Sequence, residues 1–478
     1  MGERGQSDLR VKGFLNRLIA NYKEMVLTVV ALAWPTIVEQ ALQTVVQYAD
    51  TAMVGRIGKQ ASAAVGLTST MGWLVNAPMF AMGIGVLACI SRALGAKDYE
   101  RARTASAQAL YLTVVLGAAL GVATLAISPF LPAWLGAEPE IRRDAAVYFA
   151  IVCAPMLFRA SSIIFGSVLR AASDMKTPML VGLLTNGINV VLNFFLIYES
   201  RTMSLGPVNI PIWGAGLGVA GAAIATAVAH VVGGSLMLVG VLRNPLVSFK
   251  GRKLKLDKPV MGQCVRVGFP VALERMGACL GQVVFTSLVT SLGTVALAAH
   301  SLAITAEQAF YIPGYGMQSA AATLAGNALG EGDQKKLNHM ARTMIVITVL
   351  LMTLTGGLLF AFPEFMMRIF SSDPAVIEMG ASALRIVAVS EPLFGLLIIL
   401  EGVFNGVGDT RVPFVYSIIT MWGVRILGSF LCVSVFHLGL NQVWLCMVGD
   451  NVMRALLLAE RFWSGRWKKR LNFQQKAA

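Results

Sequence analysis

The stretch that decides the fold is Pro35–Gly55, PTIVEQALQTVVQYADTAMVG. It is apolar enough to cross a membrane, yet it carries Glu39, Gln43, Gln47 and Asp50. At about 100° per residue these four side chains share one face of a helix, and the two carboxylates lie only about 20° apart. The stretch therefore predicts a membrane-spanning helix with a single polar stripe.

The polar stripe indicates a site inside the protein. Each ionised acid in hydrocarbon costs roughly 3 kcal/mol or more, so such residues face a bundle interior or a watery cavity. We interpret Asp50 and Glu39 as a site for a cation or a proton. An ionised carboxylate attracts a cation, whereas a protonated or sodium-bound one does not. The alternative is a structural hydrogen bond or ion pair, and the stripe alone leaves it open.

The composition excludes an ordinary soluble protein. Of 478 residues, 56% are hydrophobic and 13% are charged, whereas about 25% charged is typical of soluble proteins. Apolar segments of about 20 residues recur along the chain, which predicts an all-α polytopic membrane protein. We expect twelve transmembrane helices, at 26–48, 62–87, 104–129, 145–169, 178–198, 214–241, 260–284, 297–321, 340–362, 379–404, 413–436 and 441–463.

The basic residues predict the orientation of these helices. The two tails and the loops on their side of the membrane hold 27 of the 39 Lys and Arg residues, and the opposite loops hold six. Both termini are therefore expected in the cytoplasm of a protein in the plasma (inner) membrane. The net charge of +14 follows from this distribution, so we expect the lipid bilayer and not nucleic acid as its partner.

The two halves of the chain repeat each other. Shifting the sequence by 235 residues aligns Pro35 with Pro270 and Glu39 with Glu274, and the same shift still aligns Pro178 with Pro413. Two similar six-helix bundles can rock against each other, as alternating access requires. The expected divisions are a cytoplasmic tail (1–25), an N-terminal lobe (26–242), a basic linker (243–259), a C-terminal lobe (260–465) and a second cytoplasmic tail (466–478).

Further polar and flexible residues in the spans are candidates for substrate contact, gating or bending. Asp450 and Arg454 are spaced for an ion pair within one helix, as a gate or a structural lock. Pro78 and Pro313 interrupt the second and eighth spans and can act as hinges or as static kinks. Glu274 and Glu307 are candidate substrate contacts, with helix packing or pairing to an arginine as the alternative. The remaining candidate substrate contacts are Gln47, Gln282, Met82 and Met317.

Motifs of enzymes and of metal sites are missing from the sequence. It has no HExxH, GxSxG or phosphate-loop motif, and its six cysteines form no metal-binding spacing. We therefore expect neither catalysis, nor a cofactor, nor a resident metal. Transport, if it occurs, has to use an ion gradient or run downhill.

Several segments together resemble the MATE family, the multidrug and toxic compound extrusion transporters. They are WP-x14-DTAMVG in the first span, SRALGAKDYERA after the second, FGSVLRAASDMKTPM with its echo EGVFNGVGDTRVPF, AAHSLA in the eighth span and GVAGAAIATAVAH in the sixth. The resemblance covers residues 25 to 465. It implies two six-helix lobes around a central cavity and the export of organic cations or other amphipathic toxins in exchange for inward H+ or Na+.

The resemblance also implies roles for single residues. Asp50 matches the aspartate that binds the coupling cation in bacterial members. Some members place a second aspartate four residues after an asparagine in the fifth span, and here that pattern reads Asn189 to Asn193, with an amide replacing the acid. Many members carry an acid about two turns after the proline of the seventh span. Glu274 lies four residues after Pro270, so it matches this acid by span only.

The sequence favours a secondary active multidrug exporter that works by alternating access, with H+ and Na+ both open as the coupling ion. The first alternative is a flippase for lipid-linked saccharides or an exporter of one specific metabolite. The second is a passive channel or an integral membrane enzyme. We expect the transporter to be a monomer whose cargo is small organic cations.

Overall fold

The computed structural model describes residues 3–205, 208–251 and 254–470. Arg252 and Lys253 of the predicted linker and residues 471–478 of the predicted C-terminal tail lie outside the described residues. The chain folds into twelve long helical segments, and each of them overlaps one of the twelve predicted spans. The predicted all-α membrane fold in two lobes is confirmed.

The N-terminal lobe contains the first six spans and one β-hairpin. Its fourth span is formed by two helices, α5 and α6, which meet at a bend of 50° beside Pro155. In chain order the elements are α1 (Glu3–Gly55), α2 (Lys59–Gly95), α3 (Tyr99–Ile127), α4 (Leu131–Trp134), α5 (Pro139–Cys153), α6 (Met156–Ala171), α7 (Lys176–Leu196), β1 (Glu199–Leu205), β2 (Val208–Ala215) and α8 (Gly218–Arg243).

The C-terminal lobe contains the last six spans. Its fifth span alternates α-helical and π-helical turns, with the π-helical turns at Met421–Ile426 and Leu431–Val435. The elements are α9 (Lys258–Thr290), α10 (Thr294–Glu331), α11 (Gln334–Ala361), α12 (Pro363–Phe370), α13 (Pro374–Val407), α14 (Arg411–Thr420), α15 (Leu427–Phe430) and α16 (Leu440–Ser464), followed by a 3-10 turn at Arg466–Arg470.

Three features differ from the sequence-based expectation. The first helix begins at Glu3, whereas the first span was predicted from residue 26. The segment between the fifth and sixth spans forms the antiparallel hairpin of β1 and β2. Gly214 therefore lies in a strand, so the sixth helix begins at Gly218 and not at the predicted residue 214.

Hydropathy alone identifies most of the spans. Among the described helices, eight are long and apolar enough to cross a membrane, or nine if α5 and α6 count as one span. The other three are α9, α10 and α16, which are 33, 38 and 25 residues long. They carry acids or arginines near their middle, which lowers their mean hydropathy. These polar residues mark the interior of the C-terminal lobe.

Helix caps repeat between the lobes. Asp98 accepts a hydrogen bond from the backbone nitrogen of Arg101 at the start of α3, and Asp333 accepts one from Lys336 at the start of α11. Asp98 and Asp333 are related by the 235-residue shift. A side-chain acceptor at this position satisfies one of the free N–H groups of the first helical turn.

The lobes contact each other through pseudo-symmetric helix pairs, α1 with α10 and α2 with α9. On one side Ile37 packs against Gly316, and on the other Ala272 packs with Ala81. The two cytoplasmic ends of α2 and α10 also pack closely, since a Cβ on Gly95 would lie 2.0 Å from the backbone oxygen of Asn327. The lobes are therefore joined most tightly at the end that is predicted to be cytoplasmic.

Candidate functional site

Asp50 lies at the centre of a small cluster of amides. The Nδ2 of Asn193 donates a hydrogen bond to Oδ1 of Asp50 at 2.7 Å, which joins α1 to α7. Asn193 and Asn189 are 1% and 5% exposed, and they lie one helical turn apart. The cluster has no arginine or lysine ion-paired to Asp50 in the described part of the chain. Asp50 is therefore held by neutral donors, which stabilise its charge without cancelling it.

The Asn189 side-chain amide fits two states of Asp50. With its nitrogen towards Asp50, it donates to the two carboxylate oxygens at 2.9 and 3.1 Å, and its oxygen accepts from Thr226. With its oxygen towards Asp50, its nitrogen donates to Thr226 Oγ1 at 3.2 Å. An ionised carboxylate needs the donor, whereas a protonated carboxyl can donate to the oxygen. The contacts favour the orientation with the nitrogen towards an ionised Asp50, and the opposite orientation would suit a protonated one.

The cluster also offers an oxygen for a cation. Oδ1 of Asn193 is buried and accepts no hydrogen bond from the described residues. Together with the Asp50 carboxylate and the Thr226 hydroxyl, it supplies the hard oxygen donors that alkali and alkaline-earth cations prefer. The chemistry available here is reversible binding of H+ or of a small metal ion.

Glu39 has a different environment from Asp50, although both lie on the predicted stripe. Its Oε1 lies 3.1 Å from Nη2 of Arg170 at the end of α6, and Glu39 is 7% exposed. The positive charge of Arg170 balances the carboxylate. The sequence left an ion pair open as the alternative role of Glu39, and this geometry corresponds to that alternative.

The C-terminal lobe contains a second polar cluster, in which two acids, Glu274 and Glu401, meet Arg454. Nη1 of Arg454 lies 3.6 Å from Oε1 of Glu401 and donates to the hydroxyl of Ser417 at 2.9 Å. Glu274 lies beside Ser417, Glu401, Arg454 and Arg275. Nε2 of Gln318 donates to the other oxygen of Glu401 at 3.3 Å. The cluster therefore places two carboxyl groups beside two guanidinium groups.

Asp450 and Arg454 do not pair with each other, contrary to the prediction from their spacing. Oδ2 of Asp450 lies 2.8 Å from Nη2 of Arg425, whereas Arg454 pairs with Glu401. Asp450 is fully buried, and the guanidinium of Arg425 reaches it from the neighbouring helical segment. The i,i+4 spacing permits an ion pair on an isolated helix, but here closer partners on adjacent helices replace it. Both residues therefore join helices within the C-terminal lobe.

Glu307 and Glu391 form a further buried pair of acids between α10 and α13. Glu307 is 7% exposed and Glu391 is 1% exposed. Neither oxygen of Glu391 has a hydrogen-bond partner among the described residues, and its strongest electrostatic neighbour is Glu307. A carboxylate so enclosed is costly to ionise. This pair therefore differs from the Asp50 cluster, where amide donors are in place.

The other candidate residues occupy varied environments. Met82 and Met317 are 7% and 2% exposed, and the Met82 side chain packs against Gly268 at the contact between the lobes. Gln47 is exposed, and Gln282 is half-buried. Pro78 and Pro313 lie inside α2 and α10, which continue through them. Their roles as substrate contacts or hinges stay predictions.

The sequence analysis missed the partners of these residues. It assigned no role to Arg170, Thr226, Ser417 or Asn451, although each contacts a candidate residue or its partner. No local pattern singles them out, because they lie on helices far apart in the chain. Arg170 is the exception, since an arginine near the end of an apolar segment, at the depth of Glu39, is a signal for an ion pair.

Comparison with known proteins begins with the family model described as MatE. It matches residues 35–195 and 270–431. The two matches begin at Pro35 and Pro270, 235 residues apart, and together they cover more than half of the chain. The repeat that the sequence predicted at this offset is thereby confirmed.

Among curated relatives, a probable multidrug resistance protein NorM from Thermotoga maritima is 29% identical over 448 residues, which are 92% of this chain and 93% of that protein. A probable multidrug resistance protein YoeA from Bacillus subtilis is 25% identical over 441 residues, 91% of this chain and 93% of that protein. The similarity in both cases extends over nearly the whole length.

Solved structures share the fold. A MOP superfamily transporter from Pyrococcus furiosus, described as having a binding pocket of reverse polarity, superposes with a TM-score of 0.84 at 24% identity. An outward-facing multidrug resistance MATE family transporter superposes with a TM-score of 0.83, also at 24% identity. Each superposition covers 93% of this chain and 96% of the other.

Proposed function

The chain belongs to the MatE family of membrane transporters, and we propose that it is a secondary active multidrug exporter. It expels small organic cations in exchange for inward H+ or Na+, and it alternates between two conformations in which the lobes rock against each other. The full-length similarity to multidrug resistance proteins from Thermotoga maritima and Bacillus subtilis supports this proposal. We further propose that the transporter is a monomer in the plasma membrane with both termini in the cytoplasm.

The observation that carries the proposal is the environment of Asp50. Exchange requires a group that the coupling ion and the substrate cannot both occupy. Asp50 is a carboxylate inside a membrane-spanning helix, bound to the amide of Asn193 at 2.7 Å and without an ion pair among the described residues. Because no arginine cancels its charge, Asp50 can attract a cation when it is ionised and release it when a proton or Na+ arrives.

The mechanism follows from the two orientations of the Asn189 amide. In the ionised state, amide nitrogens of Asn189 and Asn193 face the Asp50 carboxylate. When Asp50 accepts a proton, its hydroxyl donates to the Asn189 oxygen, and the Asn189 nitrogen turns to Thr226. If Na+ is the coupling ion, the Asp50 carboxylate would hold it, with the unpaired Asn193 oxygen as a further donor once that amide turns. Either ion removes the free negative charge and with it the attraction for an organic cation.

Glu274 and Glu401 suit the binding of the organic cation itself. Both carboxyl groups lie beside Arg454 and Arg275. We propose that a cationic substrate competes with these arginines for the two carboxylates within the C-terminal lobe, while Asp50 controls the exchange in the N-terminal lobe.

Transport in proteoliposomes tests the proposal. The purified chain is reconstituted, and ethidium movement is followed by fluorescence under an imposed pH gradient and, separately, under an imposed Na+ gradient. Movement of ethidium driven by one gradient, and not in protein-free vesicles, is the expected result and identifies the ion. Folded protein that moves ethidium under neither gradient but scrambles a fluorescent lipid would contradict the proposal and favour a flippase.

A further inference from the structure

A groove on the C-terminal lobe lies outside the cluster of Glu274 and Glu401. It has a volume of about 610 Å³ and lies between α9 and α14. It is close to the N-terminal ends of both helices, where α9 follows the linker and α14 follows the turn at 407–411. Six of its lining residues matter for what it can bind: Arg266, Arg411, Phe269, Leu273, Phe414 and Val415.

The two arginines of this groove are free of protein partners. Arg266 and Arg411 are exposed, and neither forms a hydrogen bond or an ion pair with the described residues. Several arginines elsewhere in the spans are paired with acids, as Arg425 is with Asp450 and Arg170 with Glu39. Two unpaired guanidinium groups at one groove therefore indicate an anionic ligand that is not part of the protein.

The position of the arginines matches the depth of lipid headgroups. Arg411 is the first residue of α14, and Arg266 lies eight residues after the start of α9. At 1.5 Å per residue, Arg266 is roughly 12 Å from that helix end, within the reach of a long side chain from the membrane surface. Both guanidinium groups can therefore reach a phosphate at the membrane interface.

The floor of the groove is apolar where it runs deeper into the membrane. Phe269, Leu273 and Val415 are 55%, 38% and 45% exposed, and Phe414 is half-buried. Along α9 the order is an arginine, then Phe269, then Leu273, so charge gives way to apolar surface towards the bilayer centre. A phospholipid has the same order, from phosphate to acyl chain.

We propose that this groove binds one anionic phospholipid of the cytoplasmic leaflet. Arg266 and Arg411 hold its phosphate through charge-assisted hydrogen bonds, and an acyl chain packs on Phe269, Leu273 and Val415. The assignment to the cytoplasmic leaflet rests on the topology given under the proposed function, whereas binding itself does not depend on transport.

The N-terminal lobe lacks the same pair of cations. The 235-residue shift relates Arg411 to Lys176 but relates Arg266 to Ala31. The equivalent surface between α1 and α7 therefore carries one cation and not two. We expect a single lipid site, on the C-terminal lobe, and this difference supplies a control within the same molecule.

Lipid binding to the detergent-solubilised full chain tests the proposal by native mass spectrometry. The probes are phosphatidylglycerol, phosphatidylcholine and inorganic phosphate. The variant R266Q/R411Q is compared with K176Q/R342Q, which loses the same charge on the predicted cytoplasmic side but keeps the groove. Thermal unfolding confirms that both are folded, and Phe269→Gln tests the acyl floor with both arginines intact.

The wild type is expected to bind one phosphatidylglycerol more tightly than phosphatidylcholine. Affinity for phosphatidylglycerol should fall about fivefold for each arginine removed, and so by more than tenfold in R266Q/R411Q, with little change in K176Q/R342Q. Phe269→Gln should also weaken it. Equal loss in both double variants, equal binding of the two lipids, or displacement by millimolar inorganic phosphate would each overturn the proposal. Loss of transport with lipid binding intact would count against the proposed function only.

Discussion

The first helices of the two repeats, α1 and α9, begin alike and then diverge. Each has a glutamate four residues after a proline, Glu39 in α1 and Glu274 in α9. Glu39 is balanced by Arg170, whereas Glu274 shares Arg454 with Glu401.

Three turns further along, the difference is larger. The position of Asp50 in α1 is taken by Phe285 in α9, which is fully buried and packs against His300. The N-terminal lobe thus balances its first acid and leaves a second one to neutral amides. The C-terminal lobe has Phe285 at this position, under Arg425, which pairs with Asp450, and it gathers Glu274 and Glu401 beside Arg454 and Arg275. The comparison teaches that a repeat can preserve helix packing while it distributes charge differently, and the proposed separation of ion binding from substrate binding rests on that difference.

The largest effect on transport is expected for Asp50→Asn. The amide keeps the size of the side chain but cannot ionise, so it removes the proposed exchange between ion and substrate. Gradient-driven ethidium export in proteoliposomes should fall by about 100-fold or more, which corresponds to roughly 2.7 kcal/mol. Asp144→Asn, at an exposed acid in the second turn of α5, should retain export. Full export by Asp50→Asn would contradict the proposal that ion exchange takes place at Asp50 in the N-terminal lobe.

Breaking the ion pair of α1 should destabilise the protein. Arg170→Leu leaves Glu39 buried without its cation, and loss of one partner of a buried pair costs about 3 kcal/mol. The double variant E39L/R170L removes both charges and should recover most of that loss. Thermal unfolding in detergent measures both. If Arg170→Leu were as stable as the wild type, or if the double variant stayed equally unstable, the pair would not balance Glu39 as described.

Gly316 tests the packing that the two repeats share. A Cβ at Gly316 would lie 2.5 Å from Cγ1 of Ile37 and 2.8 Å from its backbone nitrogen, while the equivalent position in the other repeat, Ala81, already carries a Cβ. Gly316→Ala should therefore destabilise the contact by about 2 kcal/mol through overpacking. Ala81→Gly is the matched change and should cost about 1 kcal/mol. Equal effects in unfolding experiments would mean that the two contacts are equivalent.

The smallest effect is expected for Glu274→Gln. The substitution leaves Glu401 paired with Arg454 and removes one of the two carboxylates that are proposed to contact the organic cation. The dissociation constant of ethidium, measured by fluorescence in detergent, should rise about fivefold, which is close to 1 kcal/mol. Glu138→Gln, at an exposed acid, serves as the control. An unchanged affinity in Glu274→Gln would indicate that the cluster only supports the helices.

Sequence periodicity was sufficient to predict the helices and the repeat. Both can be read along the chain, the helices from apolar segments and the repeat from a constant offset. Periodicity also singled out Asp50, and the family resemblance singled out Asn189 and Asn193; the three side chains meet in one cluster. Periodicity could not decide the role of Glu39, since Arg170 lies 131 residues away and its approach depends on how α6 packs against α1.

Other details were outside the reach of sequence reasoning for the same reason. The spacing of Asp450 and Arg454 permits an ion pair within one helix. In the fold, however, Asp450 pairs with Arg425 and Arg454 pairs with Glu401, because the neighbouring helices bring these partners into contact. The 50° bend beside Pro155 depends on the packing of α5 and α6, since proline permits a bend without requiring one of that size.

The most direct test of the central claim is the coupling ratio of Asp50→Asn compared with the wild type. Ethidium is allowed to run downhill out of proteoliposomes, and its flux is recorded together with the counterflow of H+ or Na+ by an internal ion-sensitive dye. The wild type should move a fixed number of ions for each ethidium, and Asp50→Asn should move ethidium without ions or not at all. An unchanged ratio in Asp50→Asn would contradict the assignment of ion exchange to Asp50.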